Sequence, residues 1–419
     1  MTDGGTEATS APRLRRFVRG RAALWAAFIV VHLALSLLNL YAQGYPLGDV
    51  TGVYLRWAES AAQGWVRMGI DTPWVYPILA FVPMTLALAF GAAWYGQAWL
   101  LLMTVLDAVA FSILLGTARL SRTRRIAAWW WLAFLALLGP IALGRIDAVT
   151  VPFAMVGLLM AAGRPRVASV LLTVGAWVKV WPAALIAALV IASRRRREVL
   201  GIAVALSIGI LIVSLFAGSG LNAFGFIEEQ AGRGLQIEAP IAVAWLWQMV
   251  AGAEDVRIVY ARDILTFQID GPGADAAAAL TTPVMALGVA AVVLLGIRAV
   301  RRGAAFGRVL PPLALAFLVV LMLANKVGSP QFVAWLAAPV VLGLVYRPAR
   351  FAVPALLAAA VALFTQVIYP YWYGWLLVAD PAFVFLLTVK VALLVALLVW
   401  AVRALWQAGT RRDAAPLPT

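Results

Sequence analysis

The residues best suited to chemistry in this chain are carboxylates and cations that stand where apolar segments end or break. Asp49 directly follows the first apolar run, in Tyr45-Pro46-Leu47-Gly48-Asp49-Val50, with Tyr54, Trp57 and Glu59 after it at helix-compatible spacing. As an N-cap, Asp49 would stabilise the following helix by about 1 kcal/mol. The same carboxylate at a membrane surface is suited to general-base work on a hydroxyl nucleophile. Lys179 interrupts the run 167–193 at Lys179-Val180-Trp181-Pro182. A cation in mid-run costs roughly 2.5–3.5 kcal/mol on insertion scales, so it needs either a function or a partner such as Asp107, itself inside an apolar stretch. Lys326 closes the run 309–324, where a lysine ordinarily snorkels to the interface. Arg233, Gln236 and Glu238 lie in the polar stretch 218–278, where solvation is the ordinary fate of a charge.

Other chemistries lack their residues. There is no cysteine and one histidine, His32, which excludes thiolate nucleophiles and His-clustered metal sites. His32 lies in the first helix and reads as a core or interhelical hydrogen bond rather than a base. Asp49, Asp147 and Glu59 are the carboxylates able to converge on a divalent ion, with a metal-free mechanism as the other course. No cofactor is required by any motif. Phosphate-binding loops, dinucleotide fingerprints and kinase elements are missing.

The elements that must hold these residues are membrane helices. Of 419 residues, 64% are hydrophobic and 12% charged, with a mean hydropathy of +0.95. A soluble domain carries roughly 25% charged residues, so most of this surface faces lipid. The formal net charge of +15 reflects arginines that orient helices with basic ends in the cytoplasm, and no nucleic-acid module accompanies it. A basic arm, 1–21, with Arg13, Arg15, Arg16 and Arg19, precedes a membrane domain over 22–402, and 403–419 forms a cytoplasmic tail. The expected outer loops are 43–73, 218–278, 325–331 and 370–381, and most carboxylates fall in them.

Spanning helices need about 20 apolar residues, and the chain predicts an all-α polytopic bundle of about 11–13 membrane segments. Residues 126–142 and 148–163 form a hairpin around Gly144-Arg145-Ile146-Asp147, which puts Asp147 outside. Of the stretches 74–92 and 97–117, the first carries Pro77 and Pro83 and reads as a short or interfacial helix. The run 167–193 reads as two half-helices broken at Lys179, a form tolerated where it lines a cavity. A short helix is expected near Val50–Gln63, and a β-hairpin from Val256–Tyr260 and Ile264–Ile269 around Ala261-Arg262-Asp263.

The chain resembles the membrane glycosyltransferases of the glycosyltransferase-C type, in particular the actinobacterial polyprenyl-phosphate-mannose-dependent mannosyltransferases. The resemblance covers most of the chain. It rests on Gly48-Asp49 with Tyr54 and Trp57, Tyr76-Pro77, Gly144-Arg145-Ile146-Asp147, Lys179 with Pro182, and Leu235-Gln236-Ile237-Glu238. Its most specific part is Asn325-Lys326-Val327-Gly328-Ser329-Pro330-Gln331-Phe332 before Trp335. Many such proteins have a second proline where Ile78 stands, and glutamine where Arg145 stands.

The resemblance implies a polyprenyl-phosphate sugar donor, a glycolipid or glycan acceptor at the outer leaflet of a bacterial plasma membrane, and inversion at the anomeric carbon. Asp49 would then be the base and Lys326, Arg233 and Lys179 the phosphate-binding cations. Substrate contacts would come from Tyr54, Trp57, Glu59, Tyr76, Arg145, Asp147, Gln236, Glu238, Ser329 and Gln331. Mannose is the expected sugar, an arabinofuranosyl or other polyprenyl-phosphate sugar the nearest alternative. A lipid-linked flippase or transporter is the alternative of a different class.

Overall fold

A computed structural model describes residues 20–262, 264–408 and 410. The basic residues expected at 13, 15, 16 and 19, Asp263 in the hairpin turn, and residues 411–419 of the tail lie outside the described residues. Among the described residues eight helices are long and apolar enough to cross a membrane, so the chain is an all-α polytopic membrane protein with one small sheet. Six shorter apolar helices accompany them. The expected figure of about 11–13 segments is reached only by counting some of these short pieces, which do not reach across alone.

The elements that position the site can be followed in chain order. Helix α1 (Arg21–Tyr41) leads into a π turn, Val50–Tyr54, and α2 (Leu55–Ala62). The stretch with Pro77 and Pro83 is indeed short: a 3-10 turn, Ile78–Ala80, then α3 (Phe81–Ala87). Helix α4 (Tyr95–Leu115) crosses next, and α5 (Arg122–Leu138) and α6 (Asp147–Met160) form the hairpin around Arg145. Ser121 caps α5 by accepting from the Arg124 amide at 3.2 Å.

The break at Lys179 is as expected. Helix α7 (Pro165–Val178) stops and α8 (Pro182–Ala192) starts anew. Pro182 has no N–H to offer the Val178 carbonyl and its ring clashes there, so Lys179 takes extended backbone, φ −151°, ψ 133°. Helices α9 (Arg196–Phe216), α10 (Gly225–Ala231) and α11 (Val243–Val250) follow. Strands β1 (Arg257–Ala261) and β2 (Thr266–Asp270) then pair antiparallel, Arg257 opposite Asp270.

The rest of the bundle is α12 (Ala274–Arg301), α13 (Phe306–Leu323), α14 (Ala337–Tyr346), α15 (Pro348–Gln366), α16 (Tyr373–Leu377) and α17 (Pro381–Ala408). Asp380 Oδ1 caps α17 by accepting from the Ala382 amide at 3.0 Å. Helix α17 runs to Ala408, beyond the expected end of the membrane domain at 402, because Ala401 to Trp406 continue its apolar pattern.

Helix α13 is the centre. It is apolar all round and buried from Val309 to Val320, as a helix surrounded by others must be, and it packs on α17, α12, α8 and α14. Helix α9 is the opposite case: Val213 is 70% and Phe216 90% exposed, an apolar face toward lipid.

A second, smaller core joins the hairpin to the bundle through Leu235, Ile237, Ile269, Ile368 and Leu387. Residues 235–237 lie along the hairpin edge: the Ile237 amide donates to the Phe267 carbonyl at 3.2 Å and the Ile269 amide to the Leu235 carbonyl at 2.8 Å. An edge strand left open invites pairing with another chain, and this segment covers it.

Candidate active site

Five separate pieces of chain meet at one end of the bundle: the π turn after Asp49, the 144–147 turn, the break at Lys179, the turn 325–331 and the π turn Val367–Tyr371 that follows α15. Asp49 is not the N-cap that its position suggests. The Val50 and Thr51 amides already donate to the Leu47 carbonyl, each at 3.0 Å, and Asp49 itself is helical, with no cap bond from its side chain. Its carboxylate turns instead to Arg145, whose Nε lies 3.0 Å from Oδ2.

Arg145 is a clamp. Its Nη1 donates to the carbonyls of Pro46 at 2.6 Å and Gly144 at 2.7 Å, and its Nη2 donates to the Tyr369 hydroxyl. Its side chain is only 6% exposed, against 47% for Asp49. Burial opposes its charge, but Asp49 and the neighbouring phenols more than offset that, and its pKa is raised. The turn admits this arrangement because residue 144 is glycine: a Cβ there would stand 2.6 Å from Asn39 Oδ1 and 3.0 Å from the Pro46 carbonyl.

Aromatic rings form the adjoining wall. Tyr54, Trp57, Trp74 and Tyr76 pack edge-on or stacked with centroids 5.4–6.3 Å apart. The Tyr54 hydroxyl accepts from the Ile146 amide at 3.3 Å and lies 3.5 Å from that of Tyr76. Burial, then the neighbouring Tyr76 and Asp49, push the Tyr54 phenol well up, which keeps it neutral.

Lys179 does not pair with Asp107. Asp107 Oδ2 lies 3.1 Å from His32 Nε2, the interhelical bond expected of that histidine, whereas Lys179 Nζ lies 3.9 Å from Asp147 Oδ2. The same ammonium stands 4.4 Å from the centre of the Tyr76 ring, within cation–π range. Asp147 is held from the other side by the Trp335 indole, which donates to Oδ1 at 2.7 Å. Trp335 is in turn stacked between Trp181 and Phe332, so the turn 330–336 and the broken helix are joined through Asp147.

The turn 325–329 docks on the 235–238 segment. The Gln236 amide donates to the Lys326 carbonyl at 3.0 Å, and a Cβ at Gly328 would stand 2.0 Å from the carbonyl carbon of Glu238. Burial, and then the positive charge of Arg233, lower the Lys326 pKa. Gln236 and Glu238 are buried rather than solvated. Glu238 Oε2 accepts from Lys390 Nζ at 2.7 Å inside the bundle, and the Tyr373 phenol is pushed well up by burial and by that carboxylate.

Not every expected residue joins the cluster. Glu59 is half-buried on α2, and it makes no ion pair with any of the described residues. Ser329 and Gln331 are half-buried beside the site, Ser329 contributing its carbonyl to the Phe332 amide at 3.2 Å. The convergence of Asp49, Asp147 and Glu59 on one ion does not occur: among the described residues no three acidic or histidine side chains gather, and Asp49 and Asp147 each have their own cation.

Two site residues have no place in the sequence reading. Lys390 is a cation inside an apolar run, the signal that singled out Lys179, and the same insertion cost identifies it. Tyr369 carries no such signal, because aromatics near a membrane interface are ordinary.

Residues 74–254 match the model of glycosyltransferase family 87. No curated protein and no solved structure matches the chain. The matched stretch holds Tyr76, Arg145, Asp147, Lys179, Arg233, Gln236 and Glu238, while Asp49 precedes it and Lys326 follows it. The match supports a membrane glycosyltransferase, hence a transferase that brings a donor and an acceptor together at a membrane.

Proposed function

We propose that the chain transfers a sugar, by preference mannose, from a polyprenyl-phosphate donor to an outer-leaflet glycolipid or glycan, inverting the anomeric carbon, with Asp49 as general base. The observation that carries this reading is the Asp49–Arg145 pair. A buried guanidinium with fixed carbonyl partners holds a carboxylate that is itself half-exposed, as a base must be to meet a hydroxyl from outside.

The acceptor oxygen attacks the anomeric carbon as its proton passes to Asp49. The bond from that carbon to the phosphate oxygen breaks, and the lipid phosphate departs with the electron pair. One base suffices for a single displacement, with no covalent enzyme intermediate. Charge then develops on the phosphate, where preorganised cations act best. Lys326 and Arg233 suit that role, since two like charges held together are relieved by an anion between them, and Lys179 suits it as a third. Tyr54, Trp57 and Tyr76 offer ring faces to a sugar, beside Arg145 and Asp147. Gln236, Glu238, Ser329 and Gln331 shape the opposite wall, and Glu59 extends the acceptor side. The basic turns at the opposite helix ends support a reading in which this site faces outward, from a bacterial plasma membrane.

The test is Asp49→Asn in purified protein given radiolabelled mannosyl polyprenyl phosphate and a membrane glycolipid extract. General-base removal should lower transfer by about 10²–10⁴-fold while donor binding persists. Unchanged turnover eliminates Asp49 as the base, and lipid movement without a new glycosidic bond would establish a flippase instead.

A further inference from the structure

At the other end of the bundle lies a cavity of about 350 Å³. Helix α13 ends near Lys326 and begins at this cavity, and α15 likewise begins here and ends just before the turn that carries Tyr369. Eighteen helical residues in α13 separate the two places by about 27 Å at 1.5 Å per residue. The cavity is therefore no part of the site described above.

Among the described residues its lining carries four arginines, Arg308, Arg347, Arg350 and Arg403, and neither aspartate nor glutamate. They come from three elements distant in sequence: the first turn of α13, the start of α15 and the last turns of α17. Basic residues at cytoplasmic helix ends orient a membrane protein wherever they stand. Orientation alone does not require four of them to surround one concavity.

Two further features favour an anion. Helices α13 and α15 both begin at the cavity, and N-terminal amides carry the positive end of the helix dipole. The C-terminal end of α17 opposes them, and Arg403 stands near that end. On the apolar side, Phe351 packs edge-on against Trp400 with centroids 4.9 Å apart, and both rings line the cavity. A guanidinium rim over an aromatic floor matches a phosphate attached to a carbon skeleton, because planar guanidinium forks bind phosphate oxygens in pairs. The volume falls within the roughly 300–1,000 Å³ of small-molecule sites.

We propose that this cavity binds a phosphate-bearing anion, the phosphodiester headgroup of an anionic phospholipid. All three helices that build it are membrane spans, and it opens at their ends, where headgroups lie. Free phosphate shares the chemistry and is separated from the lipid in the test.

The experiment uses the full-length protein purified in neutral detergent, with native mass spectrometry to count retained lipid. Phosphatidylglycerol and phosphatidylcholine are offered in equal amounts, with and without excess inorganic phosphate. The protein should retain phosphatidylglycerol preferentially. Arg350→Gln with Arg403→Gln should reduce that retention by about tenfold or more, given what charge-assisted hydrogen bonds contribute. Arg197→Gln, an exposed arginine of α9 outside the cavity, should leave it unchanged. Retention that resists inorganic phosphate identifies the lipid; bound phosphate that displaces the lipid identifies the free ion as the occupant of the same anion site. Equal retention by the double variant and the parent protein would overturn the proposal, as would an equal loss in Arg197→Gln.

Discussion

Lys179 approaches Asp147 to 3.9 Å, close enough for ion pairing and too far for a hydrogen bond. Asp147 Oδ2 is buried and makes no hydrogen bond, while Oδ1 is bound by Trp335. The ammonium is therefore held by field rather than by a tight bond.

Lys179→Met leaves the Asp147 carboxylate buried without its cation. Breaking a buried pair from one side costs about 3–5 kcal/mol, and a lowered Tm in detergent should show it. Adding Asp147→Asn removes the stranded charge and should recover most of the Tm. Transfer should stay low in the double variant if Lys179 serves the donor phosphate; recovery of both Tm and transfer would make the lysine purely structural.

Lys390 and Glu238 form the tighter pair, 2.7 Å apart with both side chains almost fully buried. Lys390→Met should destabilise by about 3–5 kcal/mol for the same reason, and Lys390→Met with Glu238→Gln by distinctly less. Thermal unfolding of the parent, Lys390→Met, Glu238→Gln and the double variant measures this, and full additivity of the two substitutions would contradict a coupled pair.

The pH dependence of donor binding should identify Lys326. Burial and Arg233 lower its pKa, so the ammonium loses its proton at a lower pH than an ordinary lysine. Donor affinity that needs this charge is complete at low pH and falls as pH rises through the depressed pKa. Lys326→Arg keeps its charge and should move that alkaline decline upward, read from the donor Kd across pH; an unmoved decline would assign it to another group.

Gly328→Ala should displace the 325–331 turn, because the added Cβ meets backbone atoms of Glu238 and Ala239 at 2.0–2.1 Å and backbone cannot swing aside as a side chain can. Overpacking costs typically about 1–3 kcal/mol, so Tm should fall together with donor affinity. Gly374→Ala, where no atom lies within 4 Å of the new Cβ, is the control and should leave donor affinity intact.

Legibility in the sequence followed the range of the forces involved. The hairpin strands, the helix after Asp49, the short helix at Pro77 and Pro83, and the break at Pro182 were all readable, because each depends on neighbours a few residues away. The ion pairs were not. The sequence suggests Asp107 for Lys179, as a carboxylate inside an apolar stretch, and places Asp147 in an outer turn; packing sets α4 against α1 and α6 against α7, which gives Asp107 to His32 and brings Asp147 to the lysine. Asp49 looked like a cap, yet the Leu47 carbonyl takes the amides that a cap would serve, and only the 144–147 turn supplies the arginine. Glu238 lies in a polar stretch that reads as solvated, and becomes buried because residues 235–238 dock between the hairpin and the 325–329 turn.

The sequence alone determined that this chain lives in a membrane, where its helices break, and which few charges stand inside apolar runs. Those are consequences of transfer energy and local backbone chemistry, which composition and short-range order carry in full. The tertiary structure decided which charge meets which: Arg145 with Asp49, Lys179 with Asp147, Lys390 with Glu238, and four arginines around one cavity. A partner depends on the rotation and height of each helix against its neighbours, set by packing of side chains far apart along the chain, and a linear pattern does not hold that information.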